Sequence, residues 1–285
     1  MPARKSKRTG RGRSVHDEVM EQAKSAIEAN RFDEAESLAR SILARKQDHR
    51  GAMHVAGVAL LARGKAVEAL SFLNSAVQDG PDPVIETHLA MALKQADRAT
   101  EALTWLERAI TRQPPFQAAF HELGLLLDSL NRFDDAETVL RQGLKIFPGS
   151  ADAWIALGRV LIMRGDRSGA QLAFARALAE APGHPNALFG HACVLRDDAD
   201  FSRAADLFRH ALRQIPDWAD AKLQLGYCLL ELDRWDDAIA SIRAAIALDP
   251  SLFDKARHVL VRSGRGRFWL RPSAVAKVLG RVEEG

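Results

Sequence analysis

Nine histidines and two cysteines are the side chains of this 285-residue chain best suited to metal or covalent chemistry, and their spacing assembles none. Cys193 and Cys228 stand far apart without a CxxC. No HExxH occurs, and no His, Cys and carboxylate cluster has ligand spacing. His184 and His191 are seven apart, but His184 belongs to a turn and His191 takes a leucine place beside an apolar stripe. The strings TGRGRS and SGRGRF lack the Lys-Ser or Lys-Thr of a phosphate loop and follow no strand pattern. We therefore expect no catalytic residue, no metal site and no cofactor, and read the protein as a non-enzyme.

Composition narrows the class. Hydrophobic residues make up 47% of the chain, enough to exclude wholesale disorder. No run approaches the length of a transmembrane helix. The basic opening MPARKSKRTGRGRS has no apolar segment behind it, as a secretory signal would require. Two cysteines cannot build a disulfide scaffold, and they point to a reducing, cytoplasmic setting. High Ala and Arg usage suggests a bacterial source. The net charge of +3 conceals an uneven distribution: residues 1–15 carry six basic side chains and no acid, and residues 251–285 a net +5. That leaves −8 for residues 16–250.

The elements that position these groups are set by a repeat. Prolines recur at Pro81, Pro114, Pro148, Pro182, Pro216 and Pro250, in steps of 33 or 34 residues. Ala35, Ala69, Ala102, Ala136, Ala170, Ala204 and Ala238 keep the same step, so the period of 34 occurs about seven times. Within Ala151–Pro182, Trp154, Leu157, Gly158 and Leu161 share one helical face. Gly165-Asp166-Arg167 interrupts the run, and Ala170, Phe174 and Ala177 mark a second stripe that Pro182 ends. Each period is thus a helical hairpin. Gly57, Gly124, Gly158 and Gly226 fall where two helices must approach closely, and the second-helix alanines from Ala69 onward are followed four residues later by a larger residue, such as Leu73, Phe174, Phe208 or Ile242.

This pattern resembles the tetratricopeptide repeat, best in Trp154-Leu157-Gly158…Ala170…Phe174…Ala177…Pro182. The first unit departs from it, with Gln47 for proline and Ala39 for the large residue, and Gly143 replaces an alanine in the fourth. The resemblance implies an all-α, right-handed superhelical solenoid of antiparallel helix pairs whose first helices line a concave surface. The expected domain plan is a disordered basic tail over 1–14, which is poor in apolar residues, seven hairpins over 15–250, a capping helix over 251–262, and a basic linker with a short C-terminal helical segment over 263–285. The resemblance also implies a protein–protein interaction scaffold that holds a partner peptide or helix in its groove.

Phase along the first helices nominates the groove residues. The fifth places include His54, His121, Ile155, Phe189 and Leu223, and the ninth places Val58, Met91, Leu125, Arg159 and Tyr227. Arg196 at a twelfth place, with Arg159, is expected to pair with acidic partner groups, and Asp128 with basic ones. The Lys and Asn clamp for a partner's carboxylates is absent, since His54, Val58, Thr87 and Met91 hold the corresponding places. The asparagine ladder of sugar transferases is absent too.

The ends carry a different expectation. The six N-terminal cations suit nucleic acid or an anionic surface, which gives an alternative reading as an adaptor working through its tails. Another alternative is an accessory subunit of a separate transferase or export machine. Phe268, Trp269 and Leu270, within 268–279, read either as part of the cap or as a peptide docking intramolecularly or on another protein.

Overall fold

The computed structural model describes residues 15–262 and 278–279. The chain's two ends, including Phe268, Trp269 and Leu270, lie outside the described residues. Fourteen helices follow in regular succession: α1 (Val15–Glu28), α2 (Phe32–Leu43), α3 (Arg50–Ala62), α4 (Ala66–Gln78), α5 (Pro83–Gln95), α6 (Ala99–Ala109), α7 (Gln117–Ser129), α8 (Phe133–Ile146), α9 (Ala151–Met163), α10 (Arg167–Glu180), α11 (Pro185–Asp197), α12 (Phe201–Gln214), α13 (Ala219–Glu231) and α14 (Trp235–Leu248). A 3-10 turn at Pro250–Leu252 leads into α15 (Phe253–Arg262). There is no strand among the described residues.

The chain divides into two compact units, residues 1–126 and 127–285. In the first unit α1 pairs with α2, α3 with α4 and α5 with α6, and each pair stacks on the next through α2–α3 and α4–α5. The second unit repeats the scheme with α9–α10, α11–α12 and α13–α14, joined through α10–α11 and α12–α13 and closed by α15 against α13 and α14. First helices also meet first helices, α3 against α1 and α5, and α11 against α9 and α13. Both units are arrays of antiparallel helix pairs.

The close approach inside a pair has a steric origin. A Cβ on Gly57 would lie 2.5 Å from Leu73, one on Gly158 2.8 Å from the Phe174 ring, and one on Gly226 2.5 Å from Ile242. In each case the obstructing atom belongs to the large residue four places after the second-helix alanine. Phe174 is wedged twice, since a Cβ on Gly190 of the next hairpin would come within 2.4 Å of its ring. Phe174, Phe208, Leu73 and Ile242 are fully buried beside fully buried alanines. Burying such a side chain contributes about 1.5–3 kcal/mol, and the neighbouring small residues let the helices close without a void.

The turn inside each hairpin is as regular as the interlock. Asn30, Gly64, Asp97, Asn131, Gly165, Ala199 and Asp233 all have φ between 56° and 80°, in steps of 33 or 34 residues. The amide after each donates to a carbonyl five residues back: Arg31 to Ala26 at 2.8 Å, and Lys65 to Leu60, Arg98 to Leu93, Arg132 to Leu127, Asp166 to Leu161, Asp200 to Leu195 and Arg234 to Leu229 at 2.9 Å. This left-handed cap satisfies the carbonyls at the end of the first helix and reverses the chain. Glycine, asparagine and aspartate accept that conformation; alanine does so against its Cβ.

Ion pairs fasten successive hairpins on the outside. Arg63, at the end of α3, reaches back to Asp33 and Glu36 of α2, and Arg40 also holds Glu36. The same pattern recurs where Arg164 at the end of α9 bonds Asp134 and Glu137 of α8, with Arg141 on Glu137. In the first unit the fully buried carboxylate of Glu86 is gripped by Arg112, at 2.8 Å, and by Arg108 at 3.7 Å.

The turn and the clamps can each be tested through stability. Ala199→Gly relieves the only apolar side chain among these left-handed turns and should raise the unfolding free energy by about 1 kcal/mol, whereas Gly165→Ala should lower it by about as much. Chemical denaturation of the two variants reads both signs. Burial alone would raise the carboxyl pKa of Glu36 and Glu137, but Arg40 with Arg63, and Arg141 with Arg164, outweigh it and hold both below the ordinary 4.5. A lowered folded-state pKa means this stabilisation is complete above pH 4.5 and is lost as pH falls through the lowered values. The melting temperature should therefore fall on acidification below about pH 4.5, and the paired Glu36→Gln, Glu137→Gln variant should show a shallower acid slope.

Candidate interaction face

First helices present their fifth, ninth and twelfth places to one side of each array, and the structure sorts the sequence-nominated residues into distinct groups. Fifth places form a seam between neighbouring first helices more than a surface. Leu223 is 1% exposed, so the expectation that it faces a partner is corrected, whereas Ile155, at 8%, still lines a cavity on this face. Leu223 belongs to one apolar cluster with Ala192, Leu195 and Phe208 of the preceding hairpin, which explains its burial. Phe189 is half-buried and stacks on Trp218 with centroids 4.5 Å apart, its edge contacting Phe208 at 5.5 Å. His121 is half-buried. His54 is bonded to His88 of the next hairpin, Nε2 to Nδ1 at 2.9 Å.

Ninth places are more open. Val58, Met91, Leu125 and Tyr227 are all half-buried, each with part of an apolar side chain open, and Arg159 is exposed. The charged groups there do not stand free for a partner. Arg159 donates to Asp128 at 2.9 Å, so two residues expected to contact partner groups of opposite sign satisfy each other. Arg196 bonds Asp197 at 2.6 Å and the Gln224 side-chain carbonyl of the next first helix. Lys94 reaches Glu122 at 2.5 Å in the same way within the first unit. These cross-hairpin pairs lie one repeat apart, which is why single positions in the sequence do not reveal them.

Electrostatics keeps the face neutral. Burial, reinforced by His88, pushes the His54 pKa down to about 4, and burial lowers that of His88, so the pair shares a proton without a net charge near neutrality. Burial pushes the thiols of Cys193 and Cys228 up to about 11 and 12. Both are free cysteines in protonated form, unsuited to nucleophilic work. No group of three or more His, Cys, Asp or Glu side chains among the described residues is arranged to hold a metal.

Several cavities open along this face, among them one in each unit lined chiefly by uncharged residues. The first, of about 340 Å³, is lined by Met20, Ile27, Val55 and Val58 with Lys24 and Glu28 beside them and the histidine pair also in its wall. The second, of about 360 Å³, has Phe174 in its lining, Ile155 and Ile162 from α9, and Phe189, Gly190 and Cys193 from α11, with Arg159 and Asn186 beside them. Sequence phase finds Ile155, Arg159 and Phe189 in the second cavity but misses Ile162, a twelfth-place residue, and Gly190, whose lack of a side chain lets α11 pass close to the Phe174 ring.

No helix among the described residues is long and apolar enough to cross a membrane. Val278 and Leu279 return to the end of the second unit, where Leu279 is buried and Arg243 Nε donates to the Val278 carbonyl at 2.7 Å. These two residues touch the second-helix side at α14.

Comparison with known proteins agrees with this geometry. Three family models, each described as tetratricopeptide repeat, match residues 129–189, residues 20–83 with 189–252, and residues 84–108. A curated relative from Arabidopsis thaliana, Protein CTR9 homolog, is 28% identical over 120 residues, covering 42% of this chain and 11% of that protein. Tetratricopeptide repeat protein 7B of Homo sapiens is 32% identical over 88 residues, covering 30% and 10%. The chain thus spans about a tenth of the length of these relatives. Among solved structures, the Cut9–Hcn1 hetero-tetramer of the APC/C matches with a TM-score of 0.69 at 14% identity, over 87% of this chain and 52% of that one. Pseudomonas aeruginosa pilF matches at 0.65 and 18% identity, over 73% and 94%. A repeat protein from Parabacteroides merdae matches at 0.60 and 17% identity, over 93% and 97%. Helix pairs, interlocking residues and family models agree, and the chain belongs to the tetratricopeptide repeat family.

Proposed function

We propose that the protein is a non-enzymatic interaction scaffold that holds a segment of a partner protein against the first-helix face of its arrays. The observation that carries this reading is the composition of that face. Ninth-place side chains are partly open and mostly apolar, although the core of each hairpin is already complete beneath them. Partly exposed apolar side chains repeated at one helical phase mark a surface for another chain. The two protonated, free thiols fit a reducing, cytoplasmic setting.

The polar chemistry of the face suits the same role. Its polar groups bond to one another across successive hairpins, so they fix the spacing of the first helices and spend their charge on each other.

Ninth-place substitution tests the scaffold without disturbing the core. Val58→Glu with Met91→Glu in the first unit, and Tyr227→Glu in the second, should each keep native helicity by circular dichroism. Partners co-purifying with the intact chain from its own cell extract should be lost by roughly tenfold or more from at least one of these variants. Undiminished capture by all of them would exclude the first-helix face as the binding surface.

A further inference from the structure

We infer that the cavity between α9 and α11 receives a single aromatic side chain from an uncharged stretch of the partner; this rests on the scaffold reading and specifies its chemistry. Three observations point to that occupant. The first is an aromatic wall fixed from behind. Phe189 is held by its stack on Trp218 at 4.5 Å and its edge contact with Phe208 at 5.5 Å, and it also lines the cavity. A ring entering there can pack against an aromatic surface that loses no rotamer freedom on binding, which is the arrangement from which interface anchors draw their energy.

The second observation is the space. Gly190 lies in the lining, and a Cβ there would come within 2.4 Å of the Phe174 ring. The α11 helix can pass this close to Phe174 only without a side chain at 190, which lets that ring reach the lining, and the cavity's volume of about 360 Å³ has room for one large side chain. Ile155 and Ile162 supply aliphatic packing opposite Phe189, and Cys193 adds a neutral thiol.

The third is the charge at the mouth. Arg159 is the only charged residue in the lining, and its guanidinium already donates to Asp128 at 2.9 Å. A partner carboxylate placed there would meet a guanidinium whose charge Asp128 already balances, and a partner cation would meet Arg159. Both signs are disfavoured, so the residues flanking the anchor are uncharged. Asn186, exposed in the same lining, offers an amide that can donate to a carbonyl and accept from an N–H of an extended backbone.

The test is selection of a phage-displayed random dodecapeptide library on the full chain, followed by titration of the selected peptides. Enriched sequences should share one Phe, Trp or Tyr and be depleted of Asp, Glu, Lys and Arg beside it. Their affinity should fall by roughly tenfold or more on Ile162→Glu, which places a charge in the wall, and on Gly190→Val, which displaces the Phe174 ring from the lining. Because Gly190→Val presses on Phe174, Ile162→Glu decides the matter if the glycine variant fails to fold. Arg159→Ala should change affinity less than threefold. Enriched peptides that are acidic and lose binding on Arg159→Ala would overturn the aromatic anchor while leaving the scaffold reading intact. Equal affinity for the wild-type chain and Ile162→Glu, or no enrichment at all, would overturn it as well. The scaffold reading is tested separately, by the co-purification of partners with the ninth-place variants.

Discussion

Everything else in these arrays depends on a contact between something large and something absent. Phe174 fits where it does because Gly158 on one side and Gly190 on the other have no Cβ, and Leu73 and Ile242 occupy the same relation to Gly57 and Gly226. A larger side chain at any of these glycines would push two helices apart. Since neighbouring hairpins share the displaced helix, the spacing error would pass to the next pair. Gly190 shows the constraint becoming useful. The Phe174 ring that Gly190 admits also lines the cavity beside Phe189, so core packing and the candidate cavity share one side chain.

The interlock is local, which is why it is legible in the sequence. Alanine, proline and the large residue four places on recur at one period because each unit faces the same steric problem. The left-handed turn is local as well. Residues 30, 64, 97, 131, 165, 199 and 233 keep the period, and all but Ala199 are Asn, Asp or Gly. Ala199 hides the pattern from residue type alone. His191 is a comparable irregularity. It occupies a place where Leu89, Leu123, Leu157 and Leu225 stand in other units, and both its ring nitrogens are buried without a hydrogen-bond partner. Polar atoms in that condition cost stability that leucine would not.

The face is harder to read, for a physical reason. A position's phase on its own helix says which way it points, but its exposure is decided by the helix one hairpin away. Fifth-place residues point outward from their own pair and are then covered by a neighbouring hairpin, which is why Thr87 and Leu223 are buried while Val58 and Met91 remain open. The polar residues mislead for the same reason. Asp128 and Arg159 have opposite sign and stand in different repeats of the sequence, so each looks like a site for a partner until the stacking brings them to 2.9 Å.

That self-pairing determines what kind of specificity the surface can have. A carboxylate clamp needs cations whose charge is unbalanced, and here Lys94, Arg159 and Arg196 each pair with a carboxylate of the chain itself. Breaking such a pair to admit a partner's charge exchanges one ion pair for another, with little net gain. Apolar contact carries no such exchange: a partner side chain that covers Met91 or Tyr227, or enters beside Phe189, displaces only water. Charged pairs therefore set the spacing between hairpins, and the choice of partner falls to the shape of the apolar gaps that this spacing leaves open.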